Sequence, residues 1–237
     1  MTAKNFLQTC AAATLLAAGQ SAHAGTVTFS DYTHGNGNTV NVTAPGYTGS
    51  AGGFKGTLAG FGGGFDGAFE SFCIELTESF GFNTAYTGYT LVSAASQFGA
   101  TKAAALEKLI SHVYGNGVFA AALDKDQQST AVQLAVWNIV YDSDYSLDAG
   151  SFAEAGTAYR NTAAVTPQFI GANGLLFTSQ AATGGPGYSL HVLRSVGNPG
   201  NQDQLIWRLN AVPEPASLML VGLALGAAGV ASRRHRR

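Results

Sequence analysis

The residues of this chain with the most open chemistry are a cysteine and a glutamine. Cys73 stands in Phe72-Cys73-Ile74-Glu75, and Gln133 stands 60 positions on, in Val132-Gln133-Leu134-Ala135-Val136-Trp137. The second cysteine, Cys10, lies in a segment that reads as a secretion signal, so the exported chain keeps one thiol and cannot close an intramolecular disulfide. A thiol left over in an exported protein is buried, paired between chains, or used chemically. Composition and spacing alone favour burial, with Cys73 a small apolar side chain and Gln133 an amide bonded to backbone.

Other chemistry finds less support. His34, His112 and His191 are scattered singly and read as ordinary polar or core histidines. Glu75 and Glu78 would face each other on a helix but not on a strand, so they make no glycosidase pair. Asp142, Asp144, Ser146 and Asp148 place oxygens at alternate positions. That segment lacks glycine at its sixth position and has Ala153 at its twelfth, where a calcium loop needs glutamate. Its acidic residues are expected to face water, and no metal site is assigned. Gly-x-Ser-x-Gly, His-Glu-x-x-His and Cys-x-x-Cys are absent, and no Gly-Lys-Ser/Thr follows the glycine run at Phe61–Phe65. No cofactor follows, and the reading is an interaction protein, not a turnover enzyme.

The elements that must position Cys73 and Gln133 are a strand and a helix. Phe72 to Leu76 alternates, which predicts a strand with Phe72, Ile74 and Leu76 toward the core and Cys73 and Glu75 on the other face. Leu106, Leu109, Ile110 and Val113 recur at helical spacing. A second helix is predicted from about Gln127 to Tyr141, apolar nearly all round from Ala131 and therefore buried, with Gln133 on one face with Val136, Trp137 and Val140. Upstream, the Gly- and Thr-rich stretch 25–67 reads as short strands joined by loose turns. Downstream, a third helix is expected over Phe152 to Ala164, then strands over Gly174 to Ser179, Tyr188 to Ser195 and Gln204 to Leu209. Strands, then helices, then strands give an α+β domain.

Both ends stand apart from this domain. Lys4, an apolar run from Phe6 to Ala18 and Ala22-His23-Ala24 follow the order of a cleavable secretion signal, residues 1–24, with the mature chain starting at Gly25. At the other end, residues 212–237 hold Pro213-Glu214-Pro215, an apolar helix over 216–231 about 24 Å long, and Arg233, Arg234, Arg236 and Arg237. That helix is slightly short of a hydrocarbon core of roughly 30 Å, and its arginines would hold the end in the cytoplasm. Between them, residues 25–211 make one domain of ordinary size. It carries seven Lys and Arg against thirteen Asp and Glu, an acidic product that disfavours nucleic acid as a partner.

The tail resembles the PEP-CTERM sorting signal of Gram-negative bacteria, at Pro213, Glu214, Pro215, the apolar helix and the arginine cluster. The resemblance implies recognition by a membrane exosortase, transient anchoring through the helix, and delivery to the cell surface or an exopolysaccharide matrix, as in biofilms. Residues 72–142 resemble bacterial thioester domains of the TQxA type, with Val132 where that family has threonine. The resemblance implies a bond between the Cys73 sulfur and the Gln133 side-chain carbonyl, formed with loss of ammonia. Ala135 and Trp137 would be its small and aromatic supports. Such an acyl group reacts with amines, which implies covalent adhesion to amine-bearing surface proteins or matrix. The alternative is a non-covalent structural or carbohydrate-contacting matrix protein with Cys73 simply buried.

Overall fold

The computed structural model describes residues 24–156, 159, 170–182, 187–197 and 201–210. The Gly- and Thr-rich stretch forms β1 (Ala24–Tyr32), β2 (Asn38–Ala44), β3 (Tyr47–Ala51), β4 (Phe54–Ala59) and the start of β5 (Gly67–Cys73). Their alternation places Val27, Phe29, Val40, Val42 and Leu58 inward. β6 (Ala85–Ser93) leads into a helical stretch. It comprises α1 (Ala94–Phe98), α2 (Ala100–Ile110) with a wide turn over Ser111–Gly115, α3 (Val118–Ala121) and α4 (Lys125–Tyr141). The short β7 (Ala153–Glu154), α5 (Ala172–Ala181), β8 (Tyr188–Ser195) and β9 (Gln204–Leu209) follow.

Six strands close into an antiparallel barrel in the order β1-β4-β5-β9-β8-β6, which leaves no free edge among them. The remaining three form a small sheet, β3-β2-β7. At Gly56 the wall is tight: a Cβ there would lie 2.1 Å from the Thr28 carbonyl oxygen on the neighbouring strand.

Helix α4 packs against β2, β3 and β5 as well as α2 and α5, and residues 128–139 are buried without a break. Asp124 caps it, its carboxylate accepting from Gln127 N at 3.0 Å. A helix buried all round is ordinarily apolar, yet α4 also buries Gln128, Ser129, Thr130, Gln133 and Asn138. Each bonds the backbone of another segment. Ser129 Oγ accepts from Gly53 N (2.7 Å), Thr130 Oγ1 donates to Ala51 O (2.9 Å), and Asn138 Nδ2 donates to Ser146 O (2.7 Å). Gln128 and Gln133 bond Ile170 and Cys73. The helix thus supplies partners to buried loop and strand-end peptides that would otherwise be orphaned.

The mixed architecture agrees with the α+β expectation, while three elements differ from it. Residues 174–179 lie in α5 and not in a strand, because Ala172, Leu175, Leu176 and Ser179 bury one helical face while Phe177 is 74% exposed. Instead of a helix from Phe152, Ala153–Glu154 pairs with β2, at Val42↔Glu154 and Ala44↔Ala153. The rest of that expected helix, apart from Ala155, Gly156 and Tyr159, lies outside the described residues. The strand expected to reach Leu76 stops at Cys73. Among the described residues no helix is long and apolar enough to cross a membrane. The secretion signal up to His23 and the tail over 212–237, with its helix 216–231 and Pro213, Glu214, Pro215, Arg233, Arg234, Arg236 and Arg237, lie outside them.

Candidate functional site: Cys73 and Gln133

Cys73 is the last residue of β5. β4 ends opposite Ser71, two residues short of it, so the Cys73 peptide lacks a strand partner there. The amide of Gln133 takes that place. Cys73 N donates to Gln133 Oε1 at 2.9 Å, and Gln133 Nε2 donates to Cys73 O at 2.7 Å. Two bonds in opposite senses fix the amide plane against the Cys73 peptide. Gln133 is fully buried and Cys73 is 2% exposed. Phe72, Ile74 and Leu76 are buried as expected, but so is Cys73, because this strand end is covered on both faces.

The thiol donates to the carbonyl oxygen of Glu75 at 3.0 Å. Burial pushes its pKa up to about 12, against smaller lowering contributions from the Trp137 indole and the Glu75 backbone. The negative charge of Glu75 adds to the rise, as its sequence position suggests, but burial dominates. Unbonded, this sulfur is a thiol and not a thiolate at neutral pH.

Trp137 sits one helical turn beyond Gln133 on the same face of α4, 1% exposed, with the Tyr47 ring edge-on at 5.5 Å and Phe152 at 6.2 Å. Ala135 is fully buried too, but it does not line the cleft onto which Cys73, Gln133 and Trp137 open. That cleft holds about 360 Å³ and is walled by Tyr32, Tyr47, Phe54, Phe80 and Phe82, with Glu78, Ser79 and Gln202 among its polar groups. Such a slot suits an extended alkyl or aromatic group carrying a polar end.

The acidic side of the site was not legible in the sequence. Because β5 stops at Cys73, the following loop brings the Glu75 carboxyl beside that of Glu78, and Asp203 joins them. Glu75 Oε2 accepts from Asp203 N at 3.2 Å, while the Glu75 carbonyl takes both the thiol and Gln202 Nε2 (3.0 Å). Burial first, and then the charges of Asp203 and Glu78, raise the Glu75 pKa to about 7, against the Asp203 N–H that lowers it. Asp203 is raised as well, mainly by burial. The Glu-x-x-Glu spacing was visible; the end of the strand that lets the pair meet was not.

The remaining candidates lie elsewhere. His34 packs on Phe119, His112 Nε2 meets Thr178 Oγ1 at 3.0 Å, and His191 lies against Phe65. None lines the cleft. The carboxylates after α4 are occupied in building their own loop and do not simply face water. Asp142 accepts from Ser151 N and Phe152 N, and Asp144 accepts from Asn138 Nδ2 and Ser146 N. Among the described residues no group of His, Cys, Asp and Glu is arranged to hold a metal ion.

Comparison with known families bears on both the site and the tail. No curated protein and no solved structure matches the chain. Residues 211–237 match the family model of the PEP-CTERM protein-sorting motif, which implies export, a transient C-terminal membrane anchor and processing by an exosortase. Residues 70–173 match the family model of the thioester domain, and this span contains both Cys73 and Gln133.

Proposed function

We propose that this is an exported surface protein whose domain forms a Cys73–Gln133 thioester and spends it once, acylating an amine so that the domain becomes covalently fixed to its target. The observation that carries the reading is the reciprocal pair of bonds between the Gln133 amide and the Cys73 peptide, 2.9 and 2.7 Å, on the residue bearing the exported chain's sole thiol. In the forming step the sulfur adds to Gln133 Cδ, and the thiol proton leaves with the amide nitrogen as ammonia. In the spending step an amine adds to the same carbon, the C–S bond breaks, and Cys73 regains a proton. Throughout, Cys73 N–H points at the oxygen that takes negative charge in either tetrahedral intermediate. Burial shelters the acyl bond from water, and the aromatic cleft gives an amine on an alkyl stem a way in.

The tail would deliver the domain to the cell surface or an exopolysaccharide matrix, and amine-bearing proteins or polymers there would be the targets. Because the acyl group is consumed, the protein acts once and is not a turnover enzyme. Intact-mass measurement of freshly purified folded protein tests the reading: it should weigh one ammonia less than its sequence, and methylamine should convert it to an adduct at Gln133 with a free thiol at Cys73. Full sequence mass, with Cys73 open to alkylation and Gln133 unhydrolysed, would sink it. A second reading draws on Gln128, which clamps Ile170 in the same manner with no cysteine present. On that reading Gln133 is a strut, Cys73 is simply buried, and the domain is a non-covalent matrix protein.

A further inference from the structure

Trp137 presents a donor with nothing to donate to. Its indole N–H is buried, and among the described residues no atom meets it in hydrogen-bond geometry. Leaving a buried donor unmet is costly, so a partner that arises only during the chemistry would explain why the indole stands here. The ring lines the cleft together with Cys73 and Gln133, and it already acts on the Cys73 sulfur in the sense that favours the thiolate. It lies near enough to act on the sulfur as a donor, but falls short of a formed hydrogen bond as the two side chains stand.

Of the two hydroxyls that feel the sulfur's charge, Tyr47 donates to Ser50 O, and Tyr141, which accepts from Leu76 N, does not line the cleft. Cys73 N–H is committed to Gln133 Oε1, and the Glu75 carbonyl can only accept. When an amine displaces the sulfur from Gln133 Cδ, the C–S electron pair moves onto sulfur in a site where burial strongly opposes a thiolate. We infer that the Trp137 indole N–H is the hydrogen-bond donor that receives this charge, so that Trp137 acts on the leaving group and does more than support the thioester by packing. The indole keeps its proton. The proton lost by the attacking nitrogen passes through solvent in the cleft to the sulfur, restoring the thiol that donates to Glu75 O. Tyr47 and Phe152 hold the ring, and its place one turn from Gln133 on α4 fixes donor and acyl carbon to one rigid element.

This inference rests on the thioester reading, and its test separates the two. Two altered proteins are compared with wild type: Trp137→Phe, and a form with benzothienylalanine at position 137, which keeps the ring's shape and replaces N–H by sulfur. The rate of methylamine addition is followed by intact mass. The rate at which iodoacetamide alkylates Cys73 at fixed alkaline pH is then measured after the thioester has been spent. Both altered proteins should still show the ammonia deficit. They should react with methylamine roughly 100- to 1,000-fold more slowly, the range for loss of one charge-stabilising donor, and alkylate several-fold more slowly. Equal rates in the isosteric form would overturn the inference while leaving the thioester intact. If wild type shows no ammonia deficit, the thioester reading fails by itself, and unchanged alkylation in the isosteric form would then count separately against any action of Trp137 on the sulfur. Should Trp137→Phe fail to fold, the isosteric form decides.

Discussion

Helix α4 carries two glutamines that make the same clamp. Gln128 gives Nε2 to Ile170 O at 3.0 Å and takes Ile170 N at 2.8 Å; Gln133 gives 2.7 Å to Cys73 O and takes 2.9 Å from Cys73 N. Both are fully buried. Two bonds to a buried backbone are therefore a structural device, and a reactive site needs more. At Gln133 the clamped residue carries a thiol, a ring with an unmet donor lies one turn away, and a cleft opens onto all three. At Gln128 the clamped residue carries an inert side chain. On the proposed reading, reactivity is the clamp plus what surrounds it.

The largest contrast is all-or-none. Cys73→Ala and Gln133→Ala should each abolish the ammonia deficit, whereas Gln128→Ala should leave it whole. A deficit that persists in Cys73→Ala, or disappears in Gln128→Ala, would break the distinction between the two clamps. In a Cys73→Ala background, where no thioester forms and Gln133 keeps its amide, stability should not distinguish them. Truncating either glutamine strands one buried N–H and one buried C=O, a loss of about 2–4 kcal/mol by the cost of unmet polar groups. Denaturant unfolding measures both, and a loss at Gln128 far below that at Gln133 would mean that the first clamp is slack.

What could be read from the sequence follows how local each signal is. Leu106, Leu109, Ile110 and Val113 announce their helix, the apolar run to Tyr141 announces α4, and β8 and β9 fall on the ranges their flanking turns suggest. Cys73 and Gln133 stand out by residue type and surrounding motif. The stretch at 174–179 reads as a strand in sequence because Leu175, Leu176 and Phe177 fit a short strand as well as a helix, and only tertiary burial chooses between them. Barrel closure depends on pairings such as Cys73↔Gln204, which no local pattern encodes. Glu75 meets Glu78 because β5 ends where β4 runs out. Gln128 looks like any polar residue in the first turns of a helix, and its role depends on Ile170, 42 residues away.

A smaller effect is expected in the loop after α4, whose carboxylates bond backbone. Gly150 has φ +102°, and a Cβ there would lie 2.1 Å from Asp142 Oδ2. Gly150→Ala should cost about 1–3 kcal/mol through backbone strain and displacement of that carboxylate from Ser151 N. A chelator should leave the melting temperature unchanged, since these oxygens already have partners. A large chelator-induced drop would show that the loop holds a cation. It would also give α4 a metal-dependent anchor at Asn138, unlike either glutamine clamp.

The smallest effect concerns pH and belongs to the Gln133 end. Glu75 is raised from an ordinary 4.5 to about 7, chiefly by burial. The folded state therefore holds this proton more tightly than the unfolded chain does. Its contribution to stability is fully present below about pH 4.5 and is lost as pH rises through about 7. Asp203 acts in the same sense, while His34, His112 and His191, all lowered by burial, weaken the fold as pH falls. The total profile mixes these opposed contributions, so the informative quantity is the difference between wild type and Glu75→Gln. The amide still offers an oxygen to Asp203 N, and it removes the charge that crowds Glu78 and Asp203. Partial solvent exposure of Glu75 screens the effect, so Glu75→Gln should melt only roughly 2–4 °C above wild type at pH 8 and level with it at pH 4. Thermal melts across that range read the gap. A gap of the same size at both ends would mean that the substitution acts through packing, and that no proton is held beside Cys73.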